Sequence, residues 1–170
     1  MIEPTTVWLT GLSAAGKSTL AYALEQRLLA IGQACHVLDG DQVRLGLSKD
    51  LGFSQADRSE NIRRTAEVAK LMNDAGLIVI SALISPMAAD RVMAKSIIGP
   101  GKFKEIYVST PLAICEARDP KGLYTQARAG QIADFTGVSA GYEVPLKPDL
   151  ILDTTAAILG EQVEAILQLL

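Results

Sequence analysis

The feature that most constrains the fold is a glycine-containing loop near the amino terminus. Residues Gly11–Ser18 read Gly-Leu-Ser-Ala-Ala-Gly-Lys-Ser and match the pattern G-x-x-x-x-G-K-[ST]. The strand-like apolar run Thr6–Thr10 precedes the loop, and a helical period follows it. Glycines let the backbone curl so that several N–H groups face one anion, and the following helix adds the positive end of its dipole. The pattern therefore predicts a phosphate-binding loop between the first strand and the first helix.

Two side chains at the end of this loop have roles that follow from nucleotide chemistry. Lys17 should reach the β- and γ-phosphates, and the Ser18 hydroxyl should complete the coordination shell of Mg²⁺. The expected cofactors are therefore ATP and Mg²⁺. The residues expected to bind the nucleotide from the loop are Gly11, Leu12, Ser13, Ala14, Ala15, Gly16, Lys17 and Ser18.

Strand-like and helix-like segments alternate along the rest of the chain. Further strands are predicted at 34–38, 77–84, 105–108 and 150–152. Ser54, with Asp57 three residues later, resembles a capping box that begins a helix. The run 77–84 has no polar alternation, as expected for a strand buried on both faces. Five alternations predict an α/β fold of three layers, with a five-stranded parallel sheet and helices on both faces.

Composition and charge exclude several classes of protein. The 170 residues are 49% hydrophobic and 21% charged, which excludes a disordered chain, and no apolar run is long enough to span a bilayer. The net charge of −3 argues against a nucleic-acid partner but not against a small phosphorylated ligand. Two cysteines and the absence of a signal peptide favour a cytoplasmic protein without a membrane partner. With no linker or repeat, we expect a single domain over residues 1–170.

The other motifs of the sequence indicate which class of nucleotide-binding protein contains this phosphate-binding loop. The sequence has no N-K-x-D-like guanine reader, and the run 77–84 ends without the acidic residue of an ATPase motor. Asp39 and Asp41 instead flank Gly40 at the end of the predicted second strand. Two carboxylates there could hold Mg²⁺-bound water and orient an acceptor hydroxyl, as a small-molecule kinase requires. The alternative is a strand-terminating turn, for which Asp-Gly is common.

Several further motifs, taken in order, resemble the adenylylsulfate kinase family. They are Asp-Gly-Asp-x-x-Arg at 39–44, Leu-Gly-Phe-Ser at 51–54, Glu-Asn-Ile-Arg-Arg at 60–64, Arg-Asp-Pro-Lys-Gly-Leu-Tyr at 118–124 and Asp-Phe-Thr-Gly at 134–137. The glycine loop alone would be unspecific, whereas this combination is specific and covers nearly the whole chain. That family uses ATP and Mg²⁺ to phosphorylate the 3′-hydroxyl of adenosine 5′-phosphosulfate (APS) in sulfate assimilation. The resemblance implies a P-loop kinase fold and the same activity here.

The resemblance also implies roles for individual residues. Lys17, Asp41 and Ser85 would be catalytic, with Ser85 mainly an acceptor contact because in-line transfer needs no phosphoserine. Thr19 and Arg118 would join the loop in binding ATP. The acceptor-binding residues would be Asp39, Asp41, Arg44, Phe53, Arg58, Asn61, Ile84, Ser85, Lys121, Leu123 and Phe135.

A lid and an aromatic clamp are implied as well. The lid would span about residues 118–142 and would close over the phosphates to exclude water. Phe53 and Phe135 would stack on opposite faces of the acceptor's adenine, whereas the residues alone favour a ring that anchors its own loop. The chain departs from the family pattern at Met87-Ala88-Ala89, where an aromatic and an arginine are usual, and at Thr125-Gln126, where a lysine pair is usual.

Two other functions stay open at this point. Another small-molecule kinase, acting on a nucleotide or a sugar acid, would use the same scaffold, although the motifs at 51–54 and 60–64 oppose it. A catalytically silent nucleotide-binding partner of a sulfate-activating enzyme is the alternative from a different class. The intact Lys17, Ser18 and two aspartates oppose that alternative. The family suggests a homodimer, and association with a sulfate adenylyltransferase is a further expectation.

Overall fold

A five-stranded parallel sheet forms the centre of the computed structural model, which describes residues 2–170. Its strands are β1 (Thr6–Thr10), β2 (Cys35–Asp39), β3 (Ile78–Ala82), β4 (Phe103–Val108) and β5 (Leu150–Leu152). They lie in the order β2-β3-β1-β4-β5. The chain winds to one side after β1 and to the other after β4, so the switch point of the sheet lies between these two neighbours. Ligands of such sheets bind at the carboxyl ends of the strands near this point.

Helices cover both faces of the sheet, which confirms the predicted fold class. They are α1 (Lys17–Ala30), α2 (Gly40–Leu45), α3 (Gln55–Asp74), α4 (Ala88–Ile98), α5 (Leu112–Arg118), α6 (Leu123–Arg128) and α7 (Leu159–Leu167). Alternate residues of β1 enter different cores: Val7 and Leu9 pack with α1 and α7, whereas Trp8 packs with α3 and α4. Within residues 2–170, no helix is long and apolar enough to cross a membrane.

Side-chain caps explain where two of the helices begin. The Ser54 hydroxyl accepts a hydrogen bond from the Asp57 N–H (3.1 Å), so the predicted capping box begins α3. The Asp39 carboxylate accepts from the Asp41 N–H (3.0 Å) and caps α2 in the same way. The Asp-Gly-Asp segment therefore begins a short helix rather than forming a simple turn.

Candidate active site

The loop between β1 and α1 follows the carboxyl end of the central strand. A Cβ on Gly11 would lie 2.6 Å from the carbonyl oxygen of Val108 on β4, so only glycine fits there. Gly16 has a φ of +106°, and its Cβ would lie 2.9 Å from a methyl carbon of Thr154. Both glycines of the motif are therefore required by the tight curl of the loop against its neighbours.

Lys17 is nearly buried beneath this loop. Its Nζ donates hydrogen bonds to the carbonyl oxygens of Gly11 (2.9 Å) and Leu12 (2.6 Å). Burial lowers its pKa from 10.5 to about 8, although the negative charges of Asp39 and Asp41 oppose the shift. An ammonium group held mainly by carbonyl dipoles in a desolvated place is well suited to pair with a phosphate.

The two predicted carboxylates occupy different environments. Asp39 is 6% exposed, and its Oδ2 accepts a 2.5 Å hydrogen bond from the Ser18 hydroxyl. The Asp41 carboxylate is largely exposed and forms an ion pair with Lys121. Asp39 therefore lies beside the phosphate loop, while Asp41 lies beside the predicted lid.

The residues present fit Mg²⁺ as a partner. The Ser18 hydroxyl and the Asp39 carboxylate offer the oxygen ligands that this ion prefers. Among residues 2–170 there is no cluster of three or more His, Cys, Asp or Glu side chains that could hold a metal by themselves. The protein supplies only part of an octahedral shell, and phosphate and water oxygens would supply the rest.

A cavity of about 540 Å³ lies over the phosphate loop. Its volume suits a small-molecule ligand. The lining residues are Ser13, Ala14, Gly16, Lys17, Ser18, Thr19, Leu20, Arg118, Asp119, Pro120, Lys121, Leu123, Thr154, Ala157, Leu159 and Gln162. The cavity thus brings together most of the predicted nucleotide-binding residues, and it also takes in Lys121 and Leu123, which were assigned to the acceptor. The sequence analysis does not predict the lining residues that lie between positions 154 and 162. They follow the carboxyl end of β5, where ligands of parallel sheets bind, and that position could have indicated them.

The segment that begins at Arg118 is attached directly to the phosphate loop. The Arg118 guanidinium donates to the Thr154 hydroxyl (2.9 Å), and the Tyr124 hydroxyl donates to the Ser13 carbonyl (2.8 Å). The Asp119 carboxylate accepts from the N–H groups of Tyr124 (2.9 Å) and Thr125 (3.0 Å) in the first turn of α6. These contacts place the amino-terminal part of the predicted lid at the mouth of the cavity.

Arg58 connects two of the predicted acceptor-binding segments. Its Nε donates to the Phe53 carbonyl (2.9 Å) and its Nη2 to the Asp134 carbonyl (2.8 Å), next to Phe135. The Arg44 guanidinium lies 4.3 Å from the centroid of the Phe53 ring. Partial burial lowers the pKa of Arg44 and of Arg58. The structure therefore groups two cations around Phe53.

The two phenylalanines of the predicted clamp differ in environment. Phe53 is 62% exposed, so much of its side chain is accessible to a ligand. Phe135 is 8% exposed and packs edge-on against Tyr124, with ring centroids 5.0 Å apart. Phe135 thus contributes to the core.

Ser85 and Asn61, two further predicted acceptor-binding residues, are both buried. Ser85 is 2% exposed, and its hydroxyl accepts from the Trp8 indole N–H (3.1 Å) and donates to the Leu83 carbonyl (3.3 Å). The Ile84 carbonyl accepts from the Gly11 N–H (3.4 Å), which joins this loop to the phosphate loop. The Asn61 side-chain oxygen is buried and has no hydrogen-bond partner in the described part of the chain.

A parallel α/β sheet with a buried loop lysine after its central strand, and carboxylates at the end of the edge strand β2, defines the class: a P-loop kinase of a small molecule. Comparison with known proteins narrows the class to a family. The model of the adenylylsulphate kinase family matches residues 3–153, and the chain belongs to that family.

Individual relatives agree with this assignment. The chain is 57% identical over 168 residues to an adenylyl-sulfate kinase of Shewanella halifaxensis, covering 99% of this chain and 82% of the relative. The structure of the Mycobacterium tuberculosis APS kinase CysC in complex with AMPPNP and APS matches with a TM-score of 0.95 and 46% identity, covering 99% of this chain and 98% of that chain. A hexameric APS kinase from Thiobacillus denitrificans matches with a TM-score of 0.73 and 36% identity, covering 98% of this chain and 28% of that one.

Proposed function

We infer that this protein transfers the γ-phosphoryl group of ATP to the 3′-hydroxyl of APS, which gives 3′-phosphoadenosine 5′-phosphosulfate and ADP. The observation that carries this conclusion is the family match over residues 3–153. The site agrees with a two-substrate reaction, since a cavity lies over the phosphate loop and a separate group of cations surrounds Phe53. The reaction belongs to sulfate activation.

In the mechanism that we propose, the chain chiefly positions the reactants and balances their charge. The loop and Lys17 hold the β- and γ-phosphates of ATP. The Ser18 hydroxyl and the Asp39 carboxylate would hold Mg²⁺, which would supply positive charge to the phosphates. Asp41 accepts the proton of the acceptor's 3′-hydroxyl while the oxygen of that hydroxyl forms a bond to the γ-phosphorus. The bond from that phosphorus to the bridging oxygen breaks, and ADP leaves.

We propose that the acceptor lies between the carboxylates and Phe53. Arg44 and Arg58 lie beside this ring and would bind the phosphosulfate group of the acceptor. A planar guanidinium fork suits the tetrahedral oxyanions of such a group. Asn61 offers a buried acceptor oxygen to the nucleoside. The remaining acceptor contacts that we propose are the backbone of Ile84 and Ser85.

Residues 118–142 are proposed as a lid within a single domain. Its first part contacts the phosphate loop, where the Arg118 guanidinium donates to the carbonyls of Ala14 (3.4 Å) and Ala15 (3.5 Å) and the Tyr124 hydroxyl donates to that of Ser13. Lys121 reaches the Asp41 carboxylate. Such a lid excludes water that would otherwise hydrolyse ATP. A homodimer, association with a sulfate adenylyltransferase and a cytoplasmic location are also part of the proposal. Light scattering of the purified protein tests the first of these.

The decisive experiment supplies ATP, Mg²⁺ and APS and separates the nucleotides by chromatography. We expect the 3′-phosphorylated product, and a much lower kcat/KM when AMP replaces APS, because AMP lacks the sulfate that the two arginines serve. Comparable kcat/KM values for the two acceptors would contradict the acceptor assignment. ATP binding without turnover of any acceptor would instead favour the silent nucleotide-binding alternative.

A further inference from the structure

Arg91 on α4 is a buried cation to which the proposed mechanism gives no role. It is 3% exposed, and its guanidinium makes three short hydrogen bonds with three different segments. Its Nε donates to the Glu105 carboxylate on β4 (2.8 Å), its Nη1 to the Ser85 carbonyl (2.7 Å) and its Nη2 to the Glu143 carbonyl (2.6 Å). All three guanidinium nitrogens are therefore committed within the fold.

The Ser85 backbone needs such support because its conformation is unusual. Its φ is +42°, a left-handed conformation that residues other than glycine rarely adopt and that surrounding contacts must impose. The Arg91 guanidinium holds the carbonyl of this residue, while the Trp8 indole holds its hydroxyl. Thr10 adds a hydrogen bond from its hydroxyl to the Ile84 carbonyl (2.7 Å).

The loop held in this way lies between the two halves of the active site. On one side, the Gly11 N–H of the phosphate loop donates to the Ile84 carbonyl (3.4 Å). On the other side, a Cβ on Gly40 would lie 3.3 Å from the carbonyl oxygen of Ala82, which immediately precedes the loop. A small displacement of this loop would therefore change the space between the phosphate loop and the Asp39–Asp41 segment.

The same guanidinium also holds the chain that follows the proposed lid. Glu143 gives its carbonyl to Arg91, and its carboxylate accepts from the Ala88 N–H (2.6 Å) at the start of α4. The adjacent Tyr142 donates or accepts a 2.9 Å hydrogen bond with Thr10, and its ring lies 5.7 Å from the guanidinium carbon. Arg91 thus connects the Ser85 loop with the segment that ends the lid.

We propose that Arg91 is a positioning residue for the acceptor substrate, acting through the backbone of Ile84 and Ser85. This inference rests on the proposed function, which assigns those two residues to the acceptor. Arginine is required because a single planar fork reaches a carboxylate and two carbonyls at once, whereas a lysine ammonium cannot reproduce that geometry. The Glu105 carboxylate balances the buried charge.

The test uses Arg91→Lys in the full chain, because lysine keeps the positive charge opposite Glu105. We expect the KM for APS to rise about tenfold or more, within the range that slight misplacement of a substrate causes. The KM for ATP should stay within about twofold of the wild-type value. Glu105→Gln should show the same acceptor-selective pattern with a smaller rise, and it serves as the second variant if Arg91→Lys does not fold.

Trp8 supplies a readout that loss of stability alone would not move. It is the single tryptophan of the chain, and its indole N–H contacts the Ser85 hydroxyl. We expect Arg91→Lys to change the tryptophan fluorescence emission of the folded protein, because the loop that contains Ser85 would shift relative to the indole. Leu28→Ala is the matched control, since Leu28 is fully buried in the opposite core; it should lower the Tm but leave the emission and both KM values unchanged.

Several results would overturn the proposal. These are a lower Tm with both KM values unchanged, equal increases in both KM values, or the acceptor-selective pattern in Leu28→Ala. Failure of the proposed function is distinguishable, because the wild-type protein would then not turn over APS at all. In that case the emission change in Arg91→Lys would still report whether Arg91 holds the loop, and an unchanged emission would reject that role.

Discussion

Among single residues, Lys17 has a side chain whose charge depends on whether a phosphate is bound beside it. In the free protein its burial lowers its pKa to about 8, so a substantial fraction is neutral just above physiological pH. A bound phosphate favours the charged form and raises the pKa again. ATP binding must therefore take up a proton whenever the pH exceeds the pKa of the free site.

The first pH prediction follows from this linkage. Between pH 7 and pH 8 the affinity for ATP with Mg²⁺ should change little, and above pH 8 it should fall by up to about tenfold per pH unit. Equilibrium titration between pH 7 and pH 9.5 measures this effect. Lys17→Met should bind ATP more weakly and with no such pH dependence. A constant wild-type affinity over this range would show that the ammonium is not the titrating group.

The two aspartates should separate in their kinetic effects. Asp41→Asn keeps the shape but removes the base for the acceptor hydroxyl, so kcat should fall by about 10²-fold or more. Asp39→Asn instead weakens the contact with Ser18 (2.5 Å), so the Mg²⁺ concentration for half-maximal activity should rise. Measuring kcat over a range of Mg²⁺ concentrations distinguishes the two variants. Near wild-type turnover by Asp41→Asn would contradict its assignment as the base.

At the scale of elements, a group of charges fixes a turn against α3. The Arg64 guanidinium binds the carboxylates of Asp50 (2.7 Å) and Glu60 (2.9 Å), and Glu60 also accepts from Arg63 (2.7 Å). These arginines, which lie within one of the family motifs, therefore stabilise the surface of the helix in this structure. Their hydrogen bonds lower the pKa of Glu60 from 4.5 to about 2.

The acid stability of the protein should depend on this carboxylate. Because the folded pKa lies below the unfolded one, Glu60 contributes stability above about pH 4.5, and that contribution is lost as the pH falls towards 2. Glu60→Gln should therefore lower the Tm at pH 7, with a difference from wild type that shrinks below pH 4.5. Glu67→Gln is the control, because Glu67 has only a 3.7 Å contact with Arg63. An unchanged Tm difference from pH 7 to pH 2.5 would contradict the role of Glu60.

Strands and helices with a clear apolar run or capping signal could be predicted from the sequence, whereas the shortest helices could not. The buried strands and the capped helix α3 have apolar runs or caps that local chemistry explains. Helices α2 and α6 have six residues each, too few to show a helical period. The carboxylates that accept from N–H groups in their first turns, those of Asp39 and Asp119, are recognisable only once the neighbouring backbone is known.

The sequence indicated which residues belong to the candidate site better than it indicated the contacts that those residues make. The motifs identified the phosphate loop, the carboxylates and the residues at 118–123 that line the cavity. Partners distant in sequence were not predictable, such as the Trp8 indole that holds Ser85 or the Glu143 carbonyl that accepts from Arg91. Those contacts depend on strand order and on the path of the chain after the lid, which no local pattern contains.

At the scale of the whole molecule, side-chain contacts join the two regions that we propose for ATP and for the acceptor. Lys121 extends from the cavity over the phosphate loop to Asp41, and Arg58 extends from the Phe53 segment to the Asp134 carbonyl. Residues 118–142 therefore contact both regions through different side chains. Acceptor binding and lid position should be coupled for this reason, and the two phenylalanines test that coupling.

Phe53→Ala and Phe135→Ala should both weaken acceptor binding but differ in stability. Stacking contributes roughly 1–3 kcal/mol per base in nucleic-acid sites, so each change should raise the KM for APS about fivefold to 150-fold. The KM for ATP should change much less. Phe53 is 62% exposed, so its loss should leave the Tm nearly unchanged, whereas loss of the buried Phe135 ring should cost about 3–5 kcal/mol. Steady-state kinetics and thermal unfolding of both variants measure these effects.

Phe135→Leu separates stacking from packing, because leucine restores apolar volume against Tyr124 but not an aromatic face. It should recover most of the Tm lost in Phe135→Ala while keeping the raised KM for APS. A lower kcat in either Phe135 variant is also expected, since this ring lies within the proposed lid and its loss would slow closure. If Phe135→Leu restores the KM together with the Tm, or if either alanine variant weakens both substrates equally, that ring is a packing residue and does not stack on the acceptor.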